Sequence, residues 1–156
     1  MASDPDLFAP TLQGHAPARA RALPWRVSSQ FWPAFFGGSV AVGILAWLNG
    51  RRLGLALERQ RWIVISTLLA FVVSLGLLVY VVTGTTQPWV WGRRTFQVVG
   101  VVLYLVLVRI QQPADRRHQM FEGHYASLRG PGFLAVMVGV AVFLAAMVGA
   151  FALTSR

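Results

Sequence analysis

The sequence contains no cysteine, no lysine and only five acidic residues among 156. Without cysteine, disulfides, thiolate metal sites and thiol catalysis are excluded. Charged residues of both signs make up 12% of the chain, about half of the roughly 25% typical of soluble domains. Because 56% of the residues are hydrophobic, the composition is typical of a chain that folds in lipid. The length fits one domain.

The stretch from Trp62 to Val82 contains no charged residue, no proline and no amide side chain. At about 1.5 Å of rise per helical residue it spans roughly 30 Å, the thickness of the hydrocarbon core of a bilayer. The stretch therefore predicts a membrane-spanning helix.

Three further apolar segments predict three more spans. The fold class that we expect is an all-α, polytopic integral membrane protein of four antiparallel transmembrane helices, over residues 31–49, 62–83, 93–110 and 132–153. Residues 1–30 lack a helical apolar period and predict an exposed, mostly irregular tail. Residues 111–131 predict a long polar connection between the third and fourth helices.

Small side chains recur every four residues in three of the predicted helices. In lipid, such stripes allow helices to approach each other closely. The predicted helix-packing residues are Gly37, Gly38, Ser39, Ala41 and Gly43 in the first helix, Ser66, Ala70 and Ser74 in the second, and Ala141, Ala145 and Gly149 in the last. Their contacts are either within the chain or with another subunit.

All basic charge is carried by 14 arginines, and most of them flank the apolar segments. This placement favours contact with lipid headgroups over nucleic-acid binding, because no exposed aromatic platform alternates with the arginines. Tryptophan is also typical of the membrane interface. The predicted headgroup residues are Trp25, Arg51, Arg52, Arg59, Arg61, Trp89, Trp91, Arg93, Arg94 and Arg109.

Four spans place both chain ends on one face of a cell (inner) membrane. Six arginines then lie on the side of the two ends and eight on the side of the linkers around residues 51–61 and 109–129. By the positive-inside rule, this small excess places both termini on the non-cytoplasmic side.

No acidic, basic or histidine side chain lies well inside a predicted span, whereas ion-coupled transport usually needs one. All three histidines lie outside the spans, so we expect no haem or other cofactor held at mid-membrane. Asp115, His118, Glu122 and His124 are close in sequence, but they lack the spacing of a known metal motif, and we expect no metal site. No catalytic constellation is predicted.

The segment Phe35-Phe36-Gly37-Gly38-Ser39-Val40-Ala41, followed by Asn49 and Arg52-Leu53-Gly54, resembles the first helix of a group of small bacterial membrane proteins. These proteins are uncharacterised and carry an FFGGPxA-type helix that ends in Asn and Arg-Leu-Gly; Ser39 stands where that pattern has proline. The resemblance implies a four-helix bacterial membrane protein and brings no activity or ligand.

These features favour a non-catalytic membrane component, namely a subunit, an anchor or a self-assembling scaffold. Its expected partners are membrane lipids and either further copies of itself or other membrane subunits. The alternative is a small oligomeric channel or carrier for a neutral solute. A third hypothesis, an enzyme acting on lipid headgroups, would use His118, Glu122, His124 and Tyr125 beside Arg116, Arg117 and Arg129.

Overall fold

The computed structural model describes residues 22–121 and 123–154. These residues form a short 3₁₀ helix, Val27–Gln30, and four α-helices: α1 (Phe31–Arg52), α2 (Leu57–Gly84), α3 (Pro88–Phe121) and α4 (Arg129–Thr154). Each of the four α-helices is long and apolar enough to cross a membrane, when α1 is counted together with the 3₁₀ helix that precedes it. The predicted all-α bundle of four apolar helices is therefore confirmed.

Helix α1 is the centre of the bundle. Its apolar window is 56% buried, compared with 17% for α2 and 28% for each of α3 and α4. The buried side of α1 is built from small residues and aliphatic side chains, including Ala41, Val42 and Leu45. Because small side chains let neighbouring helices approach, α1 can contact all three of the others.

Helix α3 is longer at both ends than predicted, because it begins at Pro88 and continues through Pro113 to Phe121. Proline is well tolerated in the first turn of a helix, where its missing N–H has no intrahelical partner. The expected polar connection over residues 111–131 is wrong, and only residues 122–128 separate α3 from α4. The physical reason is that Gln111 and Asp115 continue the buried face of Leu103 and Leu107 at intervals of four residues.

Helix α1 is not straight, because its chain folds back at Gly38, whose φ of 66° and ψ of −157° are not helical. The contacts with α3 show the reversal. The Phe31 ring lies 5.7 Å from the Tyr104 ring, Gly38 packs against Gly100, and the Asn49 amide donates to Gln111 Oε1. Along α3 the chain therefore moves from the level of residue 104 to that of residue 100, and then back to residue 111.

A second contact confirms the reversal. The backbone N–H of Trp25 donates to Asn49 Oδ1 at 2.7 Å. In a straight helix, residues 31 and 49 alone would lie about 27 Å apart. We therefore describe α1 as a hairpin with a first limb (residues 31–37) and a second limb (residues 39–52).

The hairpin fixes where the described chain enters and leaves the bundle. Residues 22–26, the start of α2 and the start of α4 lie beside Asn49, which we call the Asn49 end; for example, Ala126 N donates to Pro24 O. The connection between α2 and α3 and the last residue of α4 lie at the opposite, Thr154 end. The described chain thus starts and finishes at opposite ends, which differs from the expectation for four full crossings.

The tip of the hairpin lies deep among the other helices. A side chain at Gly100 would meet the backbone of Ala34 and Gly38, and one at Gly139 would meet the backbone of Gly37. Gly139 is near the middle of α4, so the tip is at about half the depth of the bundle. Irregular backbone at membrane depth is tolerated where protein covers it, and Gly38 is buried.

Residues 22–30 are not the exposed tail that the sequence predicts. Pro24, Trp25, Val27 and Gln30 are buried between the second limb of α1 and neighbouring segments. The reason is the hairpin, which brings these residues back along the second limb. The remainder of the predicted tail, residues 1–21, lies outside the described residues.

Candidate functional site

A buried polar cluster joins three parts of the chain at the Asn49 end. The Asn49 side chain accepts from the Trp25 backbone and donates to Gln111 Oε1 at 3.0 Å. Both Asn49 and Gln111 are completely buried. Because a buried amide without partners costs free energy, this pair of bonds holds the N-terminal segment, the second limb and α3 in one arrangement.

Arg52 covers the outer side of this cluster. Its guanidinium lies 3.8 Å from the centre of the Trp25 ring and donates to Leu23 O at 2.9 Å. The predicted headgroup role of Trp25 is therefore corrected: only 2% of Trp25 is exposed, and it packs in a cluster with Ala41, Leu45 and Ala135. Arg52 is half-buried above it and uses cation–π attraction.

Three buried polar atoms have no hydrogen-bond partner among the described residues: Gln30 Nε2, Ser39 Oγ and Gln111 Nε2. The first and third belong to the Asn49 end, and Ser39 lies next to the hairpin tip. Each unpaired buried group lowers stability by about 1–3 kcal/mol relative to a paired one.

The segment after α3 is bonded to the end of that helix. Tyr125 Oη donates to Asp115 Oδ1 at 3.0 Å, and His118 Nε2 lies 2.8 Å from His124 O. Desolvation in this position, followed by the hydrogen bond to Asp115 and its negative charge, raises the pKa of Tyr125. Within residues 22–121 and 123–154, no three histidine or acidic side chains are placed to hold a metal; Glu122 lies outside the described residues.

The small residues predicted for packing in α1 are all buried, namely Gly37, Gly38, Ser39, Ala41 and Gly43. Gly43 faces Thr67 of α2, and Gly37 faces α4. In α2, Ser74 is buried and donates to Ala70 O, while Ser66 and Ala70 are half-buried and Ser66 donates to Ile63 O.

The third predicted stripe is placed differently. Ala141, Ala145 and Gly149 are exposed, and nothing lies within 4 Å of a side chain added at Gly149. The face of α4 that packs inside the bundle is lined instead by Gly139, Phe143, Met147 and Ala150. The signal that could have separated the two faces is Gly139, which precedes Phe143 by one helical turn.

The remaining predicted headgroup residues lie at the two ends. Arg51, Arg59, Arg61 and Arg109 belong to the Asn49 end, where Arg51 lies 5.2 Å from the Trp47 ring. Arg93, Arg94, Trp89 and Trp91 belong to the Thr154 end, where Arg94 lies 5.2 Å from the Trp91 ring. Trp89 is half-exposed and contacts Phe143.

A cleft of about 260 Å³ opens on the surface of the bundle between the first residues of α3 and the middle of α4. It reaches the hairpin tip at Gly37 and Gly38. Arg93 and Gln97 of α3 are its polar lining residues, and Phe96 and Phe143 supply apolar walls. Sequence reasoning missed this cleft, because the cleft exists only where the hairpin turns back.

No family model, no curated protein and no solved structure matches this chain. The resemblance of the first helix to small bacterial membrane proteins therefore stays a prediction.

Proposed function

We propose that the protein is a non-catalytic integral membrane protein, a subunit, an anchor or a self-assembling scaffold that acts through its lateral surface. The observation that carries the proposal is the filled centre of the bundle. Gly100 and Gly139 contact the backbone of the hairpin tip so closely that a methyl group would collide there. Among the described residues, the hairpin tip therefore fills the space between α3 and α4 at mid-depth.

The lateral surface of α4 supports the same proposal. Ala141, Ala145 and Gly149 face outward after the chain has completed its own packing. In lipid, a small-residue face allows a second helix to approach closely. We therefore assign these three residues to contact with another copy or with another membrane subunit.

Substitution by leucine tests this assignment in native membranes. Gly149→Leu places a large side chain on the exposed α4 stripe, at a position where nothing lies within 4 Å of an added Cβ. We expect chemical crosslinking to recover an oligomer or a fixed partner with the wild-type protein and to lose it with Gly149→Leu.

Gly76→Leu is the matched control, since Gly76 is equally open but lies on α2. It should retain the crosslinked species. A wild-type protein that is strictly monomeric and brings down no partner contradicts the proposal.

A channel or carrier for a neutral solute, formed by several copies, is the second candidate, and the cleft below the hairpin tip favours it. Helices broken at mid-membrane commonly form substrate sites in transporters, and this cleft ends at such a break. Solute flux in reconstituted vesicles that is reduced by Gln97→Leu and unaffected by Gly76→Leu would favour this candidate over the scaffold.

The four apolar helices make this a multi-pass membrane protein, and we propose a cell (inner) membrane with the Asn49 end in the cytoplasm. Nine described arginines belong to that end: 26, 51, 52, 59, 61, 109, 116, 117 and 129. Two, Arg93 and Arg94, belong to the Thr154 end. Among the same eleven arginines, four full crossings would give a ratio of eight to three, so the hairpin moves only Arg26 to the richer side. Because arginine is enriched in cytoplasmic segments, the ratio of nine to two supports this orientation.

A further inference from the structure

We propose that the groove between the first limb of α1 and the start of α4 binds one anionic phospholipid. The groove encloses about 560 Å³ and is open along one side. Its lining residues are Arg26, Ser29, Trp32, Pro33 and Phe36 from the N-terminal segment and the first limb, and Ala126, Ser127, Leu128, Arg129, Gly132, Phe133 and Val136 from α4 and the residues before it.

The part of the groove nearest the Asn49 end is positively charged. Arg26 and Arg129 both line it, together with the hydroxyl groups of Ser29 and Ser127. None of the described lining residues is acidic, and neither arginine side chain has a hydrogen bond or an ion pair within the described part of the chain. Guanidinium groups bind phosphate oxygens with two donors each, so this pair is suited to a phosphodiester.

The part of the groove toward the hairpin tip is apolar and opens on the lateral surface of the bundle. The Trp32 and Phe36 rings are stacked, with their centres 6.0 Å apart, and form one wall. Trp32 is 63% exposed and Phe133 is 66% exposed, although both lie along the apolar helices. From Arg129 to Val136 the groove extends about 10 Å along α4, which is enough for the first half of an acyl chain.

These two parts select the occupant. A soluble anion would use the arginines but leave the aromatic wall uncovered. A zwitterionic lipid such as phosphatidylcholine would cover the wall, but it brings a choline cation with its phosphate and therefore does not neutralise the net charge of the two arginines. An anionic phospholipid satisfies both, because it joins a negatively charged phosphate to an acyl chain. The charge complementarity and the apolar wall therefore point to the same ligand.

The experiment uses the full chain in nanodiscs that contain equal amounts of phosphatidylglycerol and phosphatidylcholine. Lipid that stays bound after transfer to detergent is counted by native mass spectrometry. We expect one phosphatidylglycerol per copy in the wild-type protein, and a loss of about fivefold in retention for each arginine removed in Arg26→Gln/Arg129→Gln.

Two matched controls separate this site from general attraction. Arg93→Gln/Arg94→Gln removes the same charge at the Thr154 end and should retain the lipid. Val136→Trp fills the apolar part of the groove and should displace it, whereas Val138→Trp, on the exposed face of the same helix, should not. Unchanged melting temperatures show that the variants are folded.

The proposal is overturned if the wild-type protein retains both lipids equally. It is also overturned if the two double-arginine variants lose phosphatidylglycerol to the same extent, or if Val136→Trp binds it as the wild type does.

Discussion

Ser39 shows how a single buried hydroxyl lowers the stability of the hairpin tip. Its Oγ has no partner among the described residues, whereas Ser74 in α2 donates to Ala70 O at 2.8 Å. We expect Ser39→Ala to leave the free energy of unfolding unchanged or to raise it by up to about 1 kcal/mol, and Ser74→Ala to lower it by about 0.5–1 kcal/mol. Unfolding of both variants in detergent micelles by increasing denaturant makes the comparison. An equal loss in both would show that Ser39 has a partner.

The ionisation of Tyr125 makes the stability of the segment before α4 depend on pH in the alkaline range. Its environment, chiefly desolvation and then Asp115, raises the pKa of the Tyr125 hydroxyl above the ordinary value of 10.0. Because the folded pKa is higher than the unfolded one, the stabilising effect is complete below about pH 10 and is lost as the pH rises through the folded pKa. The absorbance of tyrosinate at 295 nm, taken as wild type minus Tyr125→Phe, measures this titration.

Asp115→Asn supplies the control for this titration. It removes the negative charge that disfavours tyrosinate, so the Tyr125 transition should move to lower pH. A transition that stays in place would show that Asp115 does not contribute.

At the scale of the helices, Gly139 brings α4 into close contact with the hairpin tip of α1. A methyl group at Gly139 would meet the backbone of Gly37, which cannot move as a flexible side chain can. We expect Gly139→Ala to lower the free energy of unfolding by about 1–3 kcal/mol. Gly149→Ala, on the open face of the same helix, should have almost no effect, and equal effects would contradict the packing described.

The reversal of α1 can be tested by a disulfide, since the chain has no cysteine of its own. Ala126 N donates to Pro24 O at 2.9 Å, so these two residues are neighbours in the folded chain. We expect Pro24→Cys/Ala126→Cys to form an intramolecular disulfide on mild oxidation, visible as a mobility shift that a reducing agent reverses. Four full crossings would place residue 24 near the connection between α2 and α3 instead. Pro24→Cys/Gln87→Cys is therefore the control and should stay reduced.

The helices could be predicted from the sequence because length and apolarity alone decide whether a segment suits the hydrocarbon core. The break in α1 could not, because residues 31–49 have the same composition whether they cross the membrane or fold back within it. The available signals were the adjacent Gly37 and Gly38 and the buried amide of Asn49, which needs partners. The continuation of α3 was hidden for a related reason: Gln111 and Asp115 are polar, yet they lie on its buried face.

The groove and the cleft were not predictable for the same reason. Arg26 and Arg129 are 103 positions apart in the sequence, and only the hairpin brings residue 26 to the start of α4. Arg93 and Gln97 were visible as polar residues near the start of α3, but the space beside them depends on where the first limb ends.

At the scale of the whole molecule, four helices are long and apolar enough to cross a membrane, and we infer from the hairpin that only three of them cross it completely. The second limb returns to the level from which the N-terminal segment entered, so α2, α3 and α4 alone connect the two ends of the bundle. An odd number of crossings places residue 22 and residue 154 on opposite faces of the membrane. In the orientation that we propose, the nine described arginines of the Asn49 end face the cytoplasm, as the positive-inside rule favours.

Labelling of single cysteines at exposed positions in intact cells shows on which side of the membrane each position lies, because no native thiol interferes. We expect a membrane-impermeant maleimide to label Thr85→Cys and Thr154→Cys, at the Thr154 end, without permeabilisation. Ala22→Cys and Ala56→Cys, at the Asn49 end, should be labelled only after the membrane is opened. Four full crossings predict a different pattern, in which positions 22, 85 and 154 react together and position 56 does not. Labelling at position 22 therefore decides between the two topologies, since the other three positions respond identically in both.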